Sequence, residues 1–131
     1  MIKVIFASVL IIHGLIHLMG FVKAFQLAKI NQLTQTIHKP IGLLWLISAL
    51  LFITSTAIFL LKNDWWWIIA VPALVLSQLL IIMYWQNTKY GTITNVIILI
   101  GIIIGYGAWG FNTMAKNELE TFAIPAASEK K

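Results

Sequence analysis

The chain contains no cysteine and no arginine, and none of its four acids falls within an apolar run. Without cysteine there are no disulfides, thiolate metal sites or thiol nucleophiles. Without acids in the apolar runs, glycosidase-like and carboxylate-relay chemistry have nothing to work with. No nucleotide loop, catalytic triad or glycine-rich phosphate cradle occurs either. What is abundant is apolar side chain: of 131 residues, 60% are hydrophobic and only 10% charged. A soluble domain of this size leaves too much of its surface exposed to hide that share. A lipid bilayer is the solvent that removes the difficulty.

Four apolar runs, Val4 to Phe25, Ile41 to Leu61, Trp65 to Trp85 and Thr92 to Phe111, each approach the ~20 residues that span a hydrocarbon core. Backbone groups in lipid must pair internally, so the runs are expected to be helices. The short connections Lys62-Asn63-Asp64 and Gln86 to Gly91 force antiparallel neighbours. The expectation is an all-α membrane domain over residues 1–111, a four-helix up-down-up-down bundle with both termini on one side. Residues 112–131 form a polar tail, expected as a helix turn and then a loose segment carrying Pro125 and ending in Glu129-Lys130-Lys131. Met1-Ile2-Lys3 before an apolar run imitates a signal peptide, but the run is too long for one and no Ala-x-Ala site follows, so a retained span is expected.

Between Gln26 and Lys39, the residues Leu27, Ile30, Leu33 and Ile37 recur at three- or four-residue intervals, which predicts a short helix lying in the interface. Pro40 suits the first turn of the second helix, and Pro72 lies where it can kink the third. Trp65-Trp66-Trp67 and Trp109 read as interfacial anchors, as do Tyr84, Trp85, Tyr90 and Asn95 near the other boundary.

The net charge is +5 and the pI about 9.7, from nine lysines. These lie singly at the ends of apolar runs, where the stem covers lipid and the ammonium reaches water. Nucleic acid is therefore not an expected partner. Lys3, Lys62 and Lys116 mark one side, while Lys23, Lys29, Lys39 and Lys89 mark the other. The expected orientation puts the first and third connections in the cytoplasm.

His13 and His17 stand four residues apart in the first span, on one helical face with Gly20 and Ala24. Imidazoles at membrane depth need protein, water or a ligand, which makes them the first functional candidates. Depth at ~1.5 Å per residue brings Ser77 and Gln78 of the third span and Ser48 of the second to matching height, a polar belt of His13, His17, Ser48, Ser77 and Gln78. These residues read either as interhelical hydrogen bonds or as a binding site. A metal site is not expected, because zinc needs three or four protein ligands and the third histidine, His38, lies in a connection. Two histidines on one helix cannot occupy opposite faces of a haem unless a second copy contributes. Gly101 and Gly105, extended by Ala108, form a small-residue stripe that predicts close helix packing, within the bundle or across a homodimer.

Leu10-Ile11-Ile12-His13-Gly14-Leu15 through Met19-Gly20-Phe21 resembles the first span of the DoxX-like group of small bacterial four-helix membrane proteins. His17 stands where that group usually has lysine, and Ser48 lies near the level of an acid common in its second span. The tract Trp85 to Thr92 leading into Asn95 is similar to that of membrane proteins sharing a His-Gly-x-x-His first span. The resemblance implies the four-helix fold, the bacterial inner membrane and, for some members, subunits of quinone-linked redox complexes. The expected role is a non-catalytic subunit or accessory component of a membrane assembly. The alternatives are a small redox or quinone-interacting protein using His13 and His17, and a small dimeric exporter, whose known relatives carry a first-span glutamate missing here.

Overall fold

The computed structural model describes the backbone of residues 1–129 and the side chains of residues 1–123. Lys130 and Lys131, the end of the expected tail, lie outside the described residues. Five helices follow in order: α1 Ile2–Ala24, α2 Lys39–Leu60, α3 Trp66–Met83, the single turn α4 Trp85–Thr88, and α5 Gly91–Glu129. Among the described residues there is no strand. Helices α1, α2, α3 and α5 are each long and apolar enough to cross a membrane, so the chain is a multi-pass, all-α bundle. Residues such as Ile12, Leu50, Leu79 and Ile103, with about half their surface exposed, form the coat that lipid would cover.

Helices α1 and α2 terminate alike. After α1, Gln26 adopts φ 54°, its N–H bonds to Lys23 O (3.1 Å) and that of Leu27 to Val22 O (3.0 Å). After α2, Lys62 adopts φ 58°, with Lys62 N–H on Phe59 O (3.1 Å) and Asn63 N–H on Ile58 O (3.2 Å). Both are Schellman terminations made without the usual glycine. The second one reverses the chain into α3, where Asn63 Oδ1 accepts from the Trp65 N–H at 3.0 Å.

Three expectations need correction. The segment Gln26–His38 is not an interfacial helix but an irregular loop that folds over the bundle, burying Leu33 and Ile37 while Leu27 stays exposed. The apolar spacing was real, but it serves a loop whose backbone is held from outside: Lys23 Nζ donates to Leu33 O, and Thr34 pairs with Asn87 of α4 through its N–H and hydroxyl. The fourth helix does not stop near Phe111, since α5 runs unbroken for 39 residues, about 58 Å at ~1.5 Å per residue. That is nearly twice the ~30 Å hydrocarbon thickness. Finally, Trp66 is not an interfacial anchor: it is buried against Phe6 and Phe59, and only Trp65 of the triplet is largely exposed. Pro72 lies inside α3, and the helix continues through it.

Two buried clusters divide the bundle lengthwise. One, at the end holding the N-terminus and the α2–α3 turn, gathers Leu10, Phe52, Trp66, Ala70, Ala73, Ile98 and Ile102. The other, under the loop, gathers Ala24, Leu33, Ile37, Trp45, Leu80 and Tyr84. The Gly101/Gly105 stripe belongs to the first cluster and is an intrachain contact. A Cβ at Gly101 would strike the Phe6 ring, and one at Gly105 would lie 2.6 Å from Trp66 Cζ2. Ala108 is exposed and takes no part.

Candidate functional site

His13 is the middle residue of α1, and its ring turns inward with that of His17; both are buried. The rings stand perpendicular at 4.9 Å, and Phe52 of α2 backs both of them. Their Nε2 atoms converge on one hydroxyl, Ser77 Oγ of α3, at 3.1 Å from His13 and 2.8 Å from His17. Ser77 in turn donates to Asn95 Oδ1 at 3.1 Å, Asn95 Nδ2 donates to Gln78 Oε1 at 3.0 Å, and Gln78 Nε2 donates to Thr92 Oγ1 at 3.3 Å. A hydroxyl has one proton and two lone pairs. With its proton on Asn95, Ser77 accepts from both rings, which makes both histidines Nε2–H tautomers with Nδ1 as an acceptor. The chain of bonds joins α1, α3 and α5, the three helices whose backbones cannot bond to one another.

Of the expected belt, His13, His17, Ser77 and Gln78 come together as read. Ser48 is fully buried but its hydroxyl has no partner, so it stays outside the network. Asn95 is the member that the sequence reading assigned wrongly, to an interfacial anchor. It is buried at the centre of the network because α5 starts deep: a Cβ on Gly91 would lie 3.7 Å from His13 Cε1. Tyr84 is likewise buried, edge-on to Trp45 at 5.9 Å. The signal available for Asn95 was its seven-residue spacing from Ile102 with Ile98 between, the buried stripe of α5 among the described side chains.

Beside the histidines lies a cavity of about 480 Å³. Its walls include His13, Ile16, His17 and Met19 of α1, Trp45 of α2, Ile81 of α3, and Gly91 and Thr94 of the first turn of α5. Gln32 and Leu33 of the loop, with Asn87 and Thr88 of α4, complete its lining on the loop side. The volume falls within the range of about 300–1,000 Å³ typical of small-molecule sites. No Lys, Asp or Glu lines it. Two residues of its wall, His17 and Trp45, each hold a buried ring nitrogen without a partner, Nδ1 and Nε1, on rings 5.0 Å apart. Trp45 can come this close because Gly20 faces it on α1, and a Cβ there would overlap the indole.

The donor set does not suit an ion. Among the described residues no three His, Cys, Asp or Glu side chains gather. An ion at this depth would also have no anionic ligand to offset its desolvation. What the lining offers a small molecule is apolar walls with a few hydroxyl and amide groups and no charged side chain. Comparison with protein-family models, with curated proteins and with solved structures finds no match to this chain.

Proposed function

We propose that this chain is a bacterial inner-membrane protein of DoxX-like type that binds a small, neutral, lipid-soluble molecule of the quinone class in the histidine cavity. It does so as an accessory component of a larger membrane assembly. The observation that carries the reading is a cavity of small-molecule size whose wall includes His17 and Trp45, each with a buried ring nitrogen left without a partner. Buried polar groups left without partners cost free energy, so a ligand carbonyl accepting from the indole, or a hydroxyl donating to the imidazole, restores what the protein omits. Absence of charge from the lining selects a neutral molecule. The Ser77 hydroxyl is engaged on three sides, by His13, His17 and Asn95, which is the bonding of a link between helices. Binding, rather than turnover by this chain alone, fits that arrangement.

The accessory role draws support from α5. Beyond Trp109 the helix leaves the bundle, with Phe111, Met114, Leu119 and Phe122 all more than two-thirds exposed. Exposed apolar side chains on a helix with no neighbour suit contact with another subunit. The loop end carries Lys23, Lys29, Lys39 and Lys89 with no acid, whereas Lys3, Lys62 and Lys116 at the other end share it with Asp64, Glu118 and Glu120. By lysines near the span ends alone, the quantity that sets orientation, the loop end leads four to three, and we read it as the cytoplasmic end.

The test is saturable binding of a short-chain benzoquinone to the purified protein in detergent, followed by quenching of tryptophan fluorescence. We expect Trp45→Phe to weaken binding about tenfold, the effect of losing one good hydrogen bond at ~1.4 kcal/mol per decade. Non-saturable quenching that is identical in wild type and variant overturns the reading. A visible-region spectrum of the same preparation tests separately whether a coloured redox group is retained.

A further inference from the structure

Helix α5 carries two apolar stripes on opposite sides. Asn95, Ile98 and Ile102 turn inward and are buried in the bundle. On the other side Ile97, Ile100 and Ile104 recur eleven residues on as Ala108, Phe111 and Ala115, and again as Leu119 and Phe122. Spacings of four, four and three residues keep such a stripe on one line of a nearly straight helix. Inside the membrane an apolar outer face needs only lipid. Beyond Trp109 lipid no longer accounts for it, because the ~20 residues that cross the hydrocarbon are already spent and the helix continues. There Phe111, Leu119 and Phe122 stand 72%, 69% and 76% exposed, while Thr113, Asn117 and Glu120 take the opposite side. The segment beyond Trp109 is thus amphipathic, and its apolar line is the prolongation of the lipid-facing one.

Resting on the contact role given to α5 above, we propose that this stripe is the seam of a parallel homodimer. In it, α5 of one copy lies along α5 of a second, through the membrane and for ~20 Å beyond Trp109. The stripe passes from lipid into water without a break, so what covers it must be a helix that does the same on the same side. A second copy, inserted in the same direction, is such a helix. The size fits as well: the stripe exposes on the order of 800 Å² in each copy, the area that each partner contributes to a standard interface. Its middle is shaped for self-pairing, since Ala108 and Ala115 stand about one turn either side of Phe111 and leave room for the partner's Phe111. Charge agrees. Lys116 and Glu118 flank the stripe on opposite sides, so across a parallel two-fold axis Glu118 faces the flank that carries the partner's Lys116. The membrane surface is a poorer occupant: α5 runs unbroken rather than bending toward it, and Lys116 against Glu118 and Glu120 gives the segment the wrong sign for anionic lipid. The eleven-residue repeat winds the pair right-handed. The histidine cavity stays clear of the seam, because Gly91 and Thr94 line it from another side of α5.

The experiment introduces photoreactive benzoylphenylalanine singly along α5 of the whole chain in its own membrane, and weighs the adducts. Ala108, Ala115 and Leu119 test the stripe, and Thr113 and Asn117 test the opposite side. We expect adducts of two chains from the stripe positions and none from the other two. The double variant Leu119→Glu with Phe122→Glu should abolish the Ala115 adduct. In detergent it should also reduce the particle from two copies to one by light scattering, with helical content by circular dichroism unchanged. Equal adducts from both sides, or a two-copy particle that survives the double variant, overturn the seam. Stripe adducts with a protein of another mass overturn the second copy while leaving the contact role of α5 in place. Absence of any protein adduct from the stripe overturns both.

Discussion

The two ends of this bundle are built from the same helices by opposite means. At the N-terminal end, Phe6, Phe59 and Trp66 meet edge to face at 5.1 to 5.5 Å, with Leu10, Phe52 and Ile98 fully buried below them. The principal polar link there is Ser55 Oγ donating to Trp66 O at 3.1 Å. At the loop end, a ladder of side-chain hydrogen bonds is added to ring contacts such as Trp45 with Tyr84, and a cavity opens beside it. In lipid there is no hydrophobic force to bring helices together, so association depends on packing and on hydrogen bonds. Packing alone gives a rigid end with nothing to bind. More polar atoms go unpartnered toward the loop end, His17 Nδ1, Trp45 Nε1 and Gln35 Oε1 against Trp67 Nε1 at the other, and the proposed site lies there.

The largest effect that tests this contrast is overpacking of the rigid end. The double substitution Gly101→Leu with Gly105→Leu drives side chains into Phe6 and Trp66. It should lower stability in detergent by about 1–3 kcal/mol for each residue, the usual cost of inserting methylenes into a full core. Because the stripe packs within one chain, oligomer size should not change. Dissociation of an oligomer with an unchanged unfolding temperature would assign the stripe to an intermolecular seam and break the contrast.

A smaller effect separates partnered from unpartnered polar groups at the loop end. Ser77→Ala removes three hydrogen bonds and strands both imidazole N–H groups. At an average near ~0.6 kcal/mol per bond in membrane bundles, the loss should be about 2 kcal/mol. Ser48→Ala removes a buried hydroxyl that has no partner, and should be neutral or slightly stabilising. His17→Gln should be tolerated for stability, since an amide can still donate to Ser77, yet it should impair binding by removing the Nδ1 acceptor. Equal unfolding temperatures for Ser77→Ala and Ser48→Ala would show that the ladder contributes nothing.

The contrast also explains what could be read from sequence. The four spans were legible because ~20-residue apolar runs have one solution in lipid. The meeting of His13 and His17 with Ser77 and Gln78 was legible because a helix converts residue number into depth. Asn95 was not, because that conversion assumes a helix starting at the interface, and α5 starts beside His13. Ser48 sits near the right height, but rotation of α2 decides its partners, and sequence does not fix rotation. The loop was misread because apolar residues three and four apart suit a helix and also suit a strap that dips into a core. The choice was made by tertiary bonds from Lys23 and Asn87.

The smallest predicted effect compares the two ends through a feature they share. Gln26 at the loop end and Lys62 at the aromatic end hold the same left-handed conformation in the same Schellman geometry. A left-handed residue other than glycine costs roughly 1–2 kcal/mol, while glycine costs the unfolded chain roughly 0.5–1 kcal/mol of extra entropy, so replacement should gain about 0.5 kcal/mol. Lys62→Gly adds this to an end whose rings unfold with the whole bundle, so the gain should appear in global thermal unfolding. Gln26→Gly adds it beside a loop held by a few bonds, which can open before the bundle does. There the gain should appear mainly as slower amide exchange in residues 26–37. If both variants raise the global unfolding temperature equally and leave loop exchange alone, the two ends unfold as one unit, and the difference between them is one of chemistry and not of stability.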